Sequence, residues 1–96
     1  MAQNRKFKGI ARLIEHTPNE TRFYYHDTAV VVKRPEDIVL SSGGWRTNTT
    51  KTAINQAANE FSLGFQVHQK DFDWFVDDQH NGVENIPFVD GLVLPR

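Results

Sequence analysis

The stretch 38-IVLSSGGWRTNTTKTAINQAANEFSLG-64 decides the fold, because the spacing of its apolar residues changes along it. After the turn, Ile54, Ala57/Ala58 and Phe61 recur at i, i+3/i+4 and i+7, the spacing of one buried helical stripe. Asn55, Gln56, Asn59 and Glu60 fill the opposite face. A principal helix is expected over residues 50–63, with Thr49 or Thr50 as N-cap and Gly64 as the residue that closes it. Before it, IVLSS (38–42) reads as the arm of a hairpin. Gly43-Gly44 reads as a two-residue turn, since glycine accepts positive φ, and WRTNT as a third strand.

Upstream, 28-TAVVVK-33 places Thr28, Val30 and Val32 on one face of a strand and Ala29 and Val31 on the other. Arg34-Pro35-Glu36-Asp37 supplies a type I turn into the 38–42 arm. Downstream, 65-FQVHQKDFDWFVDD-78 alternates twice, with Phe65 and Val67, then Phe72, Trp74 and Val76, as the apolar sets. Two strands joined near Gln69-Lys70 are expected. Turns follow at Asn81-Gly82 and Asp90-Gly91, with short extended pieces between them. In 7-FKGIARLIEH-16, Phe7, Ile10 and Leu13/Ile14 fit a short helix weakened by Gly9, and a strand competes for the same residues. Residues 1–6 are polar and expected to be disordered. Strands and helices segregate without βαβ alternation. The expected fold class is α+β: a small, mostly antiparallel sheet of hairpins packed against the 50–63 helix, in one domain spanning 1–96.

Composition narrows the function classes. The 96 residues contain no cysteine, so disulfides and thiolate metal sites are excluded. No apolar run approaches the ~20 residues of a membrane span, and the N-terminal stretch has no apolar signal core. Net charge is −1, but it is polarised. Residues 1–51 carry nine Lys/Arg and five acids, net +4; residues 52–96 carry two and seven, net −5. Charge of opposite sign on the two halves would suit an anion on one side and a basic partner on the other, if the fold keeps them apart.

The candidate binding surface is Ser42, Gly43, Gly44, Arg46, Thr47, Thr49, Thr50 and Lys51. A glycine turn delivering hydroxyls to a helix N-terminus gathers free N–H groups, and Arg46 and Lys51 would add charge for a phosphate-bearing ligand. The stretch is neither GxxxxGK[ST] nor GxGxxG, and a turn, a core Trp45, a strand and a cap account for most of it. The run Asp71, Asp73, Asp77, Asp78 lacks the glycine of a calcium loop and reads better as a solvated strand face. His16, His26, His68 and His80 stand apart, and Ser41 and Ser42 lack a nucleophile elbow, so neither metal, cofactor nor catalysis is expected. Phe23, Tyr24, Tyr25 and Trp45 beside the basic half would suit stacking on single-stranded nucleic acid.

The residues D27-TAVVV, 39-VLSSGGWRTNTTKTAIN-55, 72-FDWFV-76 and 87-PFVDGLVL-94 resemble short tailed-bacteriophage proteins with an SGGWxTxTT motif. The resemblance covers about residues 27–94. It implies a small accessory protein, cytoplasmic in an infected bacterium, that works by binding, and it carries no catalytic residues. The expected function is therefore non-enzymatic, with an anion or nucleotide surface at the Gly-Gly-Trp-Arg-Thr turn. The alternatives are a protein–protein inhibitor of a host or defence factor, contacting it through the 65–78 hairpin, and a single-strand nucleic-acid binder. An oligomer is compatible with each.

Overall fold

The apolar periodicities become two antiparallel sheets and one helix in the computed structural model, which describes residues 4–5, 12–25, 28–44 and 46–96. Trp45, His26 and the first half of the expected N-terminal helix lie outside those residues. The strands are β1 (Asn4–Arg5), β2 (Arg12–His16), β3 (Thr21–Tyr25), β4 (Thr28–Lys33), β5 (Asp37–Leu40), β6 (Phe65–Lys70), β7 (Asp73–Asp78), β8 (Val83–Pro87) and β9 (Leu92–Pro95). The helix is α1 (Asn48–Glu60). The fold class is α+β, as the segregation of elements indicates, with two sheets where one was expected. The larger has the order β1-β2-β3-β4-β5-β9 and the smaller β6-β7-β8.

Residues 12–16 are strand rather than helix: Ile14 pairs with Phe23, and both side chains are buried. The simple alternation read in 28–33 also fails. Phe23 pairs with Val31 and Tyr24 with Ala29, so Val30 is an extra residue in β4. That bulge turns Val30 and Val31 both into the core. β5 continues the inner face with Ile38 and Leu40, and β9 extends it with Leu94, opposite Ile38.

Helix α1 begins earlier than its apolar stripe suggests. Thr47 is the N-cap, and its hydroxyl accepts the Thr50 N–H at 3.2 Å. No strand forms at residues 46–49, because Thr47 and Asn48 already belong to the cap and the first turn. The helix also ends earlier. Ser62 adopts φ 52°, and the Leu63 N–H returns to the Ala58 carbonyl at 2.9 Å, the six-to-one bond of a Schellman closure. Phe61 leaves the helix to lie 5.0 Å from the Phe23 ring. Gly64 therefore serves β6 rather than the helix end.

Ala53, Ile54, Ala57 and Ala58 are buried as the stripe requires. They face β3 and β4 on one side and β6 on the other. Phe65, Val67, Trp74 and Val76 bring the small sheet into the same core. Each large apolar side chain buried there is worth roughly 1.5–3 kcal/mol. Asn55, on the face read as polar, has a structural task. Its amide donates to the Val67 carbonyl at 2.8 Å and accepts the Val67 N–H at 2.7 Å. In this way the helix covers the open backbone edge of β6.

Candidate functional site

The turn at Ser42–Gly44 is built around a carboxylate, and that carboxylate belongs to the chain itself. Asp90 Oδ1 accepts the Ser42 N–H at 2.7 Å and the Ser42 hydroxyl at 2.8 Å. The Ser42 N–H is the chief cause that holds the Asp90 carboxyl below the usual carboxylate range. Partial burial opposes it, and the Ser42 hydroxyl, the Arg46 charge and the Gly44 N–H add to it. Asp90 is brought there by its own turn: Leu92 N–H bonds the Val89 carbonyl at 3.0 Å, and Gly91 N–H bonds the Leu40 carbonyl at 2.8 Å.

Arg46 completes this corner from above. Its Nε is 3.4 Å from the Ser42 hydroxyl. Its guanidinium carbon sits 4.8 Å from the Phe88 ring centre and 5.6 Å from that of Trp74. Those two rings meet edge-on at 5.4 Å. Gly43 has φ 65°, and a Cβ there would come within 2.6 Å of the Thr28 hydroxyl. Glycine is therefore required for backbone shape and for close packing on β4.

The remaining residues of the candidate surface go elsewhere. Thr47 caps the helix, and Thr50 is buried with its hydroxyl 3.0 Å from that of Thr47. Thr49 is exposed on the first turn. Lys51 reaches toward Gln69 on β6, its Nζ 3.5 Å from Oε1. The structure thus gathers Ser42, Gly44 and Arg46 around Asp90, and gives Thr47, Thr50 and Lys51 other partners. Two of the stretches that carried the phage resemblance, SGGWR and PFVDG, are in contact through this corner.

The acidic run divides in the same manner. Asp78 is 2% exposed and sits beside Arg96, whose Nη1 is 2.9 Å from Asp78 Oδ1, though too poorly aligned for a hydrogen bond. Asp78 Oδ2 accepts from Asn81 at 2.8 Å. Arg96 also donates to the carbonyls of Pro95 and Leu63, at 2.8 and 2.9 Å. Asp77 Oδ1 accepts the Asn85 N–H at 2.8 Å and lies 3.1 Å from His68 Nε2. The Asn85 N–H is the main reason its carboxyl lies below the ordinary range; burial opposes it and His68 assists it.

Asp71 and Phe72, by contrast, form the turn of the β6–β7 hairpin, two positions beyond where the sequence placed it. Lys70 pairs with Asp73, so only two residues connect the strands. Both are left-handed, Asp71 at φ 51° and Phe72 at φ 71°. Phe72, expected to point inward with Trp74 and Val76, is 94% exposed. The period-2 pattern holds in β7 itself, where Trp74 and Val76 are buried, and stops at the strand end.

The Kyanoviridae Gp96 protein family matches residues 1–95. The chain belongs to that family. It is a phage protein, as the resemblance indicated, and the match distinguishes no motif within it. No curated protein and no solved structure matches the chain. The family therefore gives the class, and the residues give the candidate surfaces.

Sequence reasoning missed Asp90, Arg96 and the exposure of Phe72. Asp90 and Ser42 are 48 residues apart, and each belongs to a turn that is locally self-explanatory. The legible signal was at Asp71-Phe72: a tight turn between two period-2 strands calls for Asn-Gly or Asp-Gly, and a phenylalanine occupies the glycine position.

Proposed function

We propose that this phage protein acts by binding rather than by catalysis, that its partner is a protein of the infected bacterium, and that the β6–β7 hairpin is the contact. One observation carries the reading: Phe72 is 94% exposed and left-handed at the apex of a two-residue turn. A non-glycine residue in that conformation costs roughly 1–2 kcal/mol. An unburied phenylalanine forgoes a further 1.5–3 kcal/mol or so of transfer energy. Nothing among the described residues offsets either cost. Exposed aromatics on strained turns are what binding anchors require, because a partner pocket recovers the ring's burial.

The Ser42–Lys51 surface supports a phosphate-binding reading less well. Asp90 already accepts the turn's donors, and Arg46 and Lys51 have separate partners. Retention of a bacterial protein by tagged wild type, its loss with Phe72→Ala and its persistence with Arg46→Ala would support the hairpin. A Phe72→Ala variant that retains the protein equally well refutes it. So does a variant that unfolds, because the ring would then be structural.

A further inference from the structure

We infer that the hairpin's partner presents a pocket for one aromatic ring bordered by lysine or arginine; this rests on the hairpin reading above. The four aspartates of 71–78 are not equivalent. Asp77 is engaged by Asn85 and His68, and Asp78 by Asn81 and Arg96. Asp71 and Asp73 are both exposed, and their carboxylates form no hydrogen bond or ion pair among the described residues. These two uncommitted carboxylates bracket Phe72. The tip therefore combines one apolar ring with two flanking anions. Lys70, in register with Asp73, is its nearby cation.

This composition discriminates among occupants. An anionic membrane surface would take the ring but repel the two carboxylates within a Debye length. A second copy would bring the same two carboxylates toward their counterparts if it docked tip to tip. A pocket with a cationic rim satisfies all three side chains together. The rim charges would act mainly on encounter and on rejection of wrong partners, while the ring holds the complex.

The test uses the tagged full chain on lysate of the host bacterium, at about 0.1 M and about 1 M salt, where the screening length falls from roughly 10 to 3 Å. Four forms are compared: wild type, Phe72→Ala, Asp71→Asn with Asp73→Asn, and Asp71→Lys with Asp73→Lys. A photoreactive benzoyl group on the ring at position 72 marks the residues that surround it. The inference expects retention lost with Phe72→Ala, weakened with the asparagines and lowered at least about tenfold with the lysines. It also expects high salt to weaken wild type and the cross-linked peptide to contain Lys or Arg. Loss with Phe72→Ala but unchanged, salt-insensitive retention by the lysine form overturns the cationic rim and leaves the hairpin reading standing. Retention by Phe72→Ala overturns both. So does a wild type that retains nothing, sediments with anionic vesicles, or self-associates through Phe72.

Discussion

Replacing Arg96 with alanine should be the most damaging single change at the polar periphery of this core. The Arg96 side chain is 8% exposed and that of Asp78 is 2% exposed, so neither charge can turn to water. The guanidinium neutralises the Asp78 carboxylate as an ion pair and donates to the Pro95 and Leu63 carbonyls. Alanine leaves Asp78 with only the Asn81 amide on its charge. Breaking a buried pair in this way costs about 3–5 kcal/mol. A domain of 96 residues is expected to hold about 5–14 kcal/mol in total, so about a fifth or more of the stability is at stake. At about 4–8 °C per kcal/mol the midpoint should fall by well over 10 °C. The assay is urea unfolding of wild type, Arg96→Ala, Asp78→Asn and the double variant. Asp78→Asn removes the stranded charge, so the double variant should be more stable than the sum of the singles predicts, with a coupling of about 1–3 kcal/mol. An Arg96→Ala loss below about 1 kcal/mol, or strict additivity, would refute the reasoning, because the pair would then be solvated or dispensable.

Three further outcomes are expected. Phe72→Gly restores an Asp-Gly turn and should raise stability by about 1–2 kcal/mol in the same urea assay, even as it removes the binding anchor; destabilisation would show that the ring supports the fold. Asp90 has a folded-state pKa below its unfolded value, so its contribution is present above pH ~3.9 and disappears as pH falls through the folded value. Asp90→Asn should therefore lower stability at neutral pH, by about 1 kcal/mol given its exposure, and flatten part of the loss seen as the solution is acidified below the unfolded carboxylate range. An unchanged acid profile in that variant would show that the Ser42 turn does not hold the charge. Asn55→Asp replaces the amide that donates to the Val67 carbonyl, and should cost about 1–3 kcal/mol and speed hydrogen exchange at Val67; normal protection there would mean that β6 needs no cover from the helix.

Several local features were legible because they depend on nearby residues. The alternating pairs Phe65/Val67 and Trp74/Val76, the helical stripe of Ile54, Ala57 and Ala58, and the turns at Arg34–Asp37 and Asp90-Gly91 all appear where sequence spacing places them. Their ends were less legible. Thr47 caps α1 because its hydroxyl reaches the Thr50 N–H, whereas Thr49 and Thr50 looked equally able by residue type. The Val30 bulge was hidden because a run of three valines fits either face equally well.

By itself the sequence determined that 28–33, 65–67 and 74–76 would be strand and 54–58 helix, since backbone geometry sets the periods of two and 3.6 and apolar residues follow them. It also determined that the halves carry opposite charge. Only the tertiary structure decided which charges find internal partners. β9 folds back beside β5, bringing Asp90 to the Ser42 turn, while Arg96 reaches Asp78 at the other end of that strand. A carboxylate beside a turn and one beside solvent look alike in sequence; the difference is made by chain segments that arrive from tens of residues away. That selection leaves the side chains of Phe72, Asp71 and Asp73 without a partner among the described residues.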